Sequence, residues 1–230
     1  MTNFISRSIA SLICLCALWS SSGAQTVPTP QNSPPPPKKI NERPADSVAP
    51  VPEPFDNASV EKMAAQCVRL ETEAGVIEME MLAETAPETV RNFLNLAATG
   101  AFDTTTFHRV VKGFVIQGGN LATRQTITPE IVRRASRTIP DEPNLVKHVR
   151  GIVSMARTDR PRTATTSFFI LVGNGAHLDG TFAAFGRVTR GQEVVDAINS
   201  APAEGEKPEK PVRLARAVVS ACPPPAAPKQ

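Results

Sequence analysis

The distribution of proline decides how much of this 230-residue chain can fold. Ten of its 22 prolines fall between residues 25 and 56, four of them consecutive at Pro34-Pro35-Pro36-Pro37. Proline fixes φ and removes a backbone donor. Such a stretch also buries too little apolar surface to offset the entropy of ordering it. Residues 25–60 therefore read as an extended tether, with a PxxP-type ligand for a partner as the alternative. The last eight residues, 223–230, repeat the composition as a short tail. Residues 61–222 remain as one domain, long enough for a single core.

Ahead of the tether, Arg7 gives a basic start, Ile9 to Trp19 is an apolar run of eleven residues, and Ser22-Gly23-Ala24 supplies small residues for cleavage. This is the pattern of an export signal, assigned to residues 1–24. The run falls well short of the about 20 residues that cross a bilayer, so no stable membrane span is expected. A lipoprotein would need a cysteine just after the run, whereas Cys14 and Cys16 lie inside it. The mature protein is expected outside the cytoplasm, in a periplasm or secreted. Net charge is +3 and falls to +2 once Arg7 leaves, with basic and acidic residues interspersed. That leaves no electrostatic footprint for nucleic acid.

Removing the signal leaves Cys67 and Cys222, which open and close the strand pattern of the domain. If the terminal strands pair antiparallel the two thiols can meet, and an oxidising compartment favours a disulfide. Two unrelated buried thiols are the alternative. The three histidines, His108, His148 and His177, have no metal-ligand spacing. No metal is expected, and nothing calls for more than a monomer.

Within the domain, Val68 to Thr72 and Ile77 to Met81 alternate apolar and polar residues around a Glu73-Ala74-Gly75 turn, a hairpin pattern. Pro87 suits the first position of a helix and Gly100 its stop, with Val90, Phe93, Leu94 and Ala97 at helical spacing between them. Short strand patterns follow at 107–111, 114–117, 152–156, 168–172 and 183–188. A second helix is predicted near 192–198 and a last strand over 212–221. Residues 121–147 read as a long ordered loop. Many short strands and two helices indicate a closed antiparallel barrel or a sandwich.

The segment from Phe107 to Asn120 sets one arginine among aromatic and β-branched residues, then a glutamine, then a glycine pair. A fixed cation beside an apolar surface suits a neutral ligand with a carbonyl oxygen and an apolar ring, as a proline-containing peptide offers. A two-residue Lys112-Gly113 turn would send Arg109 and Gln117 to opposite faces. A three-residue turn, Val111-Lys112-Gly113, would set Arg109 opposite Val115 and keep Arg109, Val115 and Gln117 on one face. The sequence does not choose between them. Taken alone, Arg109 could be an ordinary surface arginine on an edge strand.

The ordered set Phe107-His108-Arg109, Gly113 to Gly119, Gly151 to Arg157, Phe168-Phe169-Ile170, Leu178-Asp179-Gly180 and Phe185-Gly186 resembles the cyclophilin-type peptidyl-prolyl isomerases over nearly all of residues 67–222. The resemblance implies a mainly β fold: a closed eight-stranded antiparallel barrel capped by two helices, working without a cofactor on proline-containing polypeptides. It implies Arg109 as the catalytic residue, with Phe114, Val115, Phe169 and Leu178 forming the proline pocket. Gln117 then orients the arginine, and Ala156 and Arg157 lie along the bound peptide. Three positions depart from the family pattern: Ser167 where glutamine is usual, His177 where Trp or Phe is frequent, and Phe182 in place of His or Tyr. The expected function is rotation of X–Pro bonds in exported proteins. The alternative is a proline-binding chaperone or scaffold without turnover. Amide rotation transfers no proton, so His108 is expected to be structural, and no serine sits in a nucleophile elbow.

Overall fold

The computed structural model describes residues 51–223, so the expected signal peptide, most of the tether and most of the tail lie outside the described residues. Alternating side chains produce the first hairpin. Strand β1 (Gln66–Thr72) and strand β2 (Gly75–Met81) bury Val68, Leu70, Ile77, Met79 and Met81 on one side. They join through a tight turn at Glu73-Ala74, where Thr72 pairs with Gly75. The turn is closed by the Thr72 hydroxyl, which donates to the Gly75 carbonyl and accepts from the Ala74 N–H.

Helix α2 (Pro87–Ala98) starts on proline, and Gly100 beyond its end takes φ +68°. Its first residues lack a side-chain cap of their own. The Glu142 carboxylate supplies one instead, accepting from the N–H groups of Glu88 and Thr89 at 3.0 and 2.7 Å. A carboxylate at this end also complements the helix dipole. The inner face of the helix contributes Phe93 to a knot of buried rings. Phe93 lies 5.1 Å from Phe102, 5.2 Å from Phe168 and 4.9 Å from Phe185 between centroids. Burying each such side chain contributes about 1.5–3 kcal/mol.

Helix α1 (Val60–Ala64) precedes β1, and residues 53–60, placed by composition in the tether, pack on α2. The Phe55 N–H donates to Asn95 Oδ1, and Arg91 donates to the carbonyls of Phe55 and Ala58. One apolar side chain, Phe55, therefore moves the start of the folded chain back by several residues. The predicted loop 121–147 also needs correction. It holds a 3-10 turn, Leu121–Thr123, and helix α3 (Pro129–Ala135) capped by Thr128. No residue of α3 is fully buried, and only Ile131 and Ala135 pack against the core, too short a stripe to stand out as helical periodicity. It is tied down by Arg134, which donates to Glu53 and to Asn92 Oδ1.

The remaining strands are β3 (Arg109–Val111), β4 (Val115–Gly118), β5 (Ile152–Met155), β6 (Phe168–Leu171), β7 (Ala184–Arg190) and β10 (Leu214–Ala221). Helix α4 (Gln192–Ser200) follows β7, and a two-residue hairpin, β8 (Ala203–Glu204) with β9 (Lys207–Pro208), follows α4. Eight strands form one antiparallel sheet in the order β10-β1-β2-β7-β5-β6-β4-β3. The mainly β fold is as expected, but closure is weaker than a complete barrel requires. Edges β3 and β10 share no ladder. They meet through the Thr106–Arg213 bridge, with N–H groups of Phe107 and Leu214 donating to the carbonyls of Val212 and Thr105. The sheet is a curled, half-closed barrel.

Strands β1 and β10 pair antiparallel, with Cys67 opposite Ser220 and Ala65 hydrogen-bonded to Cys222. Cys222 is therefore the diagonal neighbour of Cys67. The two are disulfide-bonded with Cα atoms 4.8 Å apart, across 155 residues of sequence. Closing so long a loop restricts the unfolded chain and contributes about 5 kcal/mol in the chain-entropy model. Reduction is expected to lower the midpoint of thermal unfolding by many degrees. Equal melting curves with and without reductant, on protein shown by mass to be oxidised, would contradict this.

Candidate active site

The hairpin of β3 and β4 places the site's arginine. Arg109 lies opposite Gln117 and Val111 opposite Val115, leaving Lys112-Gly113-Phe114 as the connection. Neither turn proposed from sequence is the one observed. The connection has three residues but sits one position further along, so Arg109 faces Gln117 rather than Val115. The two registers differ by two residues, and side chains alternate with period two. Arg109, Val115 and Gln117 therefore still share a face. Gly113 takes φ +69°, which favours glycine, and the Phe114 N–H donates to the Val111 carbonyl.

A residue from outside the hairpin fixes this register. Asn199, buried near the end of α4, donates through Nδ2 to the carbonyls of Val111 and Val115 at 2.9 and 3.1 Å. Its Oδ1 accepts from the Gly113 N–H at 2.9 Å. Lys112 donates to the Asn199 and Ala201 carbonyls. Nothing local to the hairpin could have pointed to Asn199. After β4 the glycine pair has a concrete cause: a Cβ on Gly119 would sit 2.5 Å from the Thr166 carbonyl oxygen, at φ +78°.

Strand pairing carries the site across the sheet. Arg109 pairs with Gln117, Gln117 with Phe169, Phe169 with Ser154, and Ser154 with Ala184. Directly paired residues point to the same side. The next row, Val111, Val115 and Leu171, lies beside it. Together these rows build a second apolar cluster, separate from the main core. It contains Val115, Phe169, Leu178 and Ala184, with Phe114, Ala156 and Phe182 packed against it. Phe114, Val115, Ala156, Phe169, Leu178 and Phe182, all singled out from sequence, therefore meet in one place.

The rim is built from stacked rings and one cation. The His177 ring lies 5.3 Å from that of Phe114, and Phe182 meets Phe169 edge-on at 5.9 Å. The Arg157 guanidinium sits 4.8 Å above the Phe182 ring, a cation–π contact. Gln117 Oε1 accepts from Arg109 Nη1 at 3.1 Å. Glu206, which no sequence pattern had marked, accepts from Nε and Nη2 of the same guanidinium at 2.7 and 3.1 Å.

Beneath the pocket lies a buried relay. His148 is fully buried, with Nδ1 3.1 Å from Asp179 Oδ1 and Nε2 3.0 Å from Ser154 Oγ. The order imitates a hydrolase triad, yet Ser154 is also fully buried behind Phe169 and no substrate can reach it. Its work is structural: Asp179 ends the turn that presents Leu178 and ties it to His148 and β5. Asp179 is a strut. Its carboxyl is lowered to about 2, first by the His148 backbone N–H and then by Lys147, with the imidazole adding to the effect. His108 is half-buried. Burial pushes its imidazole pKa down, a contact with Thr106 opposes this, and the Arg109 charge lowers it further. It is therefore neutral at neutral pH and suited to a structural position.

Residues 67–219 match the family described as cyclophilin type peptidyl-prolyl cis-trans isomerase. The chain belongs to the cyclophilin family. It is 42% identical over 141 residues to a peptidyl-prolyl cis-trans isomerase of Streptomyces antibioticus, covering 57% of this chain and 81% of that protein. An Arabidopsis thaliana peptidyl-prolyl cis-trans isomerase is 38% identical over 141 residues, 60% of this chain and 62% of the relative's length. A cyclophilin-type isomerase of Cryptosporidium parvum, solved in the presence of the dipeptide Ala-Pro, superposes with a TM-score of 0.59 at 28% identity. That likeness covers 68% of this chain and 99% of the other.

Asp179 gives this cyclophilin a defined acid response. A depressed carboxyl contributes stability above its unfolded pKa, near 3.9, and the contribution is lost as pH falls towards 2. A carbon-13 NMR titration should place the Asp179 carboxyl near 2. Titration at the ordinary carboxylate value would remove the strut from the description. Asp179→Asn should abolish that part of the acid dependence.

Proposed function

We propose that this cyclophilin accelerates X–Pro isomerisation in exported proteins, with Arg109 stabilising the twisted amide while the apolar cluster holds the proline ring. The observation that carries the reading is the placement of Arg109 and Gln117 on the same face as Val115, Phe169 and Leu178. A solved relative crystallised with an Ala-Pro dipeptide supports a proline-containing ligand for such a surface.

Uncatalysed X–Pro rotation takes tens to hundreds of seconds, because twisting breaks the partial double bond of the amide. A turnover near 100 per second is a gain of about four decades, or ~5.5 kcal/mol. As the bond twists, the proline nitrogen pyramidalises and becomes a better hydrogen-bond acceptor. A guanidinium aimed at it binds the twisted amide more tightly than the planar one. One charged hydrogen bond contributes about 1.5–3 kcal/mol, so Arg109 supplies part of the total. The pocket supplies the rest, clamping the ring while the preceding carbonyl rotates in a partly desolvated site. No step moves a proton, so the neutral His108 and the buried relay are consistent with this chemistry.

Export rests on the pattern of residues 1–24 and the proline-rich stretch behind it. The Cys67–Cys222 bond agrees with an oxidising compartment. Expression in a bacterial host followed by intact mass of the extracytoplasmic fraction tests it, and cleavage after Ala24 is expected.

The activity is tested by a protease-coupled assay on a succinyl-Ala-Xaa-Pro-Phe anilide. The wild type should exceed the uncatalysed rate by orders of magnitude. Arg109→Ala should lower kcat/KM by roughly ten- to hundred-fold, the equivalent of one charged hydrogen bond. A wild-type rate equal to the uncatalysed one would leave the protein a proline-binding module without turnover.

A further inference from the structure

The Arg109 side chain is 41% exposed, and a free arginine at such exposure samples many rotamers. Here it is held from two sides. The Glu206 carboxylate accepts from Nε at 2.7 Å and from Nη2 at 3.1 Å, and Gln117 Oε1 accepts from Nη1 at 3.1 Å. A two-point contact with a carboxylate fixes the plane of a guanidinium as well as its position. Of the five N–H groups of an arginine, these contacts use three. One N–H on each terminal nitrogen is left to face a ligand.

Glu206 is itself anchored by backbone. It lies in the turn of the β8–β9 hairpin, between Gly205 at φ +58° and Lys207. Its carbonyl accepts from the Val110 N–H at 2.8 Å, so the hairpin covers the open edge of β3. The Val110 N–H points away from Gln117, and the carboxylate of the residue that receives it reaches the arginine next door in sequence. A second link, from Lys112 to the Asn199 and Ala201 carbonyls, ties the β3–β4 loop to the chain entering the hairpin.

We infer that Glu206 is a positioning residue for the isomerisation, its carboxylate holding the Arg109 guanidinium plane so that two N–H groups face the proline pocket. This rests on the reading of Arg109 as the catalytic residue.

The test compares Glu206→Gln with Glu204→Gln, which removes an equal charge from the same hairpin at an exposed site, and with Glu206→Asp. Isomerisation is followed by a protease-free assay, so that pH and salt can be varied, and nitrogen-15 NMR follows the Arg109 Nε–H. Glu206→Gln should lower kcat by about threefold to fivefold, the scale of an exposed ion pair, with KM changed less than kcat. Glu206→Asp should recover part of the loss, and Glu204→Gln should match the wild type. The Glu206 carboxyl is held below its usual value by Arg109. The wild-type advantage over Glu206→Gln should therefore be complete at neutral pH and be lost only in acid, below the ordinary glutamate range. It should also shrink in 1 M salt, where the Debye length is about 3 Å.

A Glu206→Gln protein with wild-type or higher kcat overturns the inference, as does an equal loss in Glu204→Gln. Failure of the isomerase reading itself would look different. The wild type would be inactive while the Arg109 Nε–H resonance still shifted between wild type and Glu206→Gln. An Nε–H resonance identical in the two proteins removes the contact and the inference with it.

Discussion

Phe168 and Phe169 are neighbours in the chain and face opposite sides of one strand, and both halves of the molecule depend on that alternation. Phe168 packs edge-on against Phe93 and Phe102 in the main core. Phe169 turns outward to join Val115, Leu178 and Phe182. Because β6 is paired on both edges, by β4 and β5, it cannot slip by one residue without exposing the core ring and burying the site ring. The same ladder carries Gln117 to Phe169 and Arg109 to Gln117. Core stability and site geometry are thus two consequences of one register.

What the ladder does not fix, side chains from distant segments do. Asn199 of α4 holds the β3–β4 connection through three hydrogen bonds, and Glu142 of the irregular segment caps α2. Asp179 holds the Leu178 turn to His148, which in turn reaches Ser154, the cross-strand partner of Phe169. Each is a polar group buried or half-buried against backbone that would otherwise lack a partner, which is costly to leave unmade. The apolar cluster is consequently held from several sides. The cation beside it is the exposed part, and it depends on Gln117 and Glu206 for its orientation.

Most of the pocket was legible in the sequence because its residues stand in motifs whose order matches a known family. The parity argument for Arg109 and Gln117 also holds in the observed turn, since both three-residue registers put the two side chains on one face. Helix α3 was not legible, because its seven residues set only Ile131 and Ala135 against the core, too short a stripe to show as periodicity. Residues 53–60 were assigned to the tether because proline dominated the composition there, while the single buried Phe55 that docks them does not show in a composition count. Full closure of the barrel was expected from family resemblance, whereas the strands meet at the seam through one bridge at Thr106 and Arg213.

By itself the sequence determined the mainly antiparallel β architecture and singled out apolar residues that meet in one cluster. It also paired Cys67 with Cys222 as candidates, since both stand at the ends of terminal strands. These are properties of local pattern: alternation, caps, breakers and motif order. Only the tertiary structure decided the register of the β3–β4 hairpin, the roles of Asn199 and Asp179, and the contact between Arg109 and Glu206. Those depend on atoms 31 to 97 residues apart in sequence. No local pattern encodes a hydrogen bond whose two partners meet only after the sheet has curled.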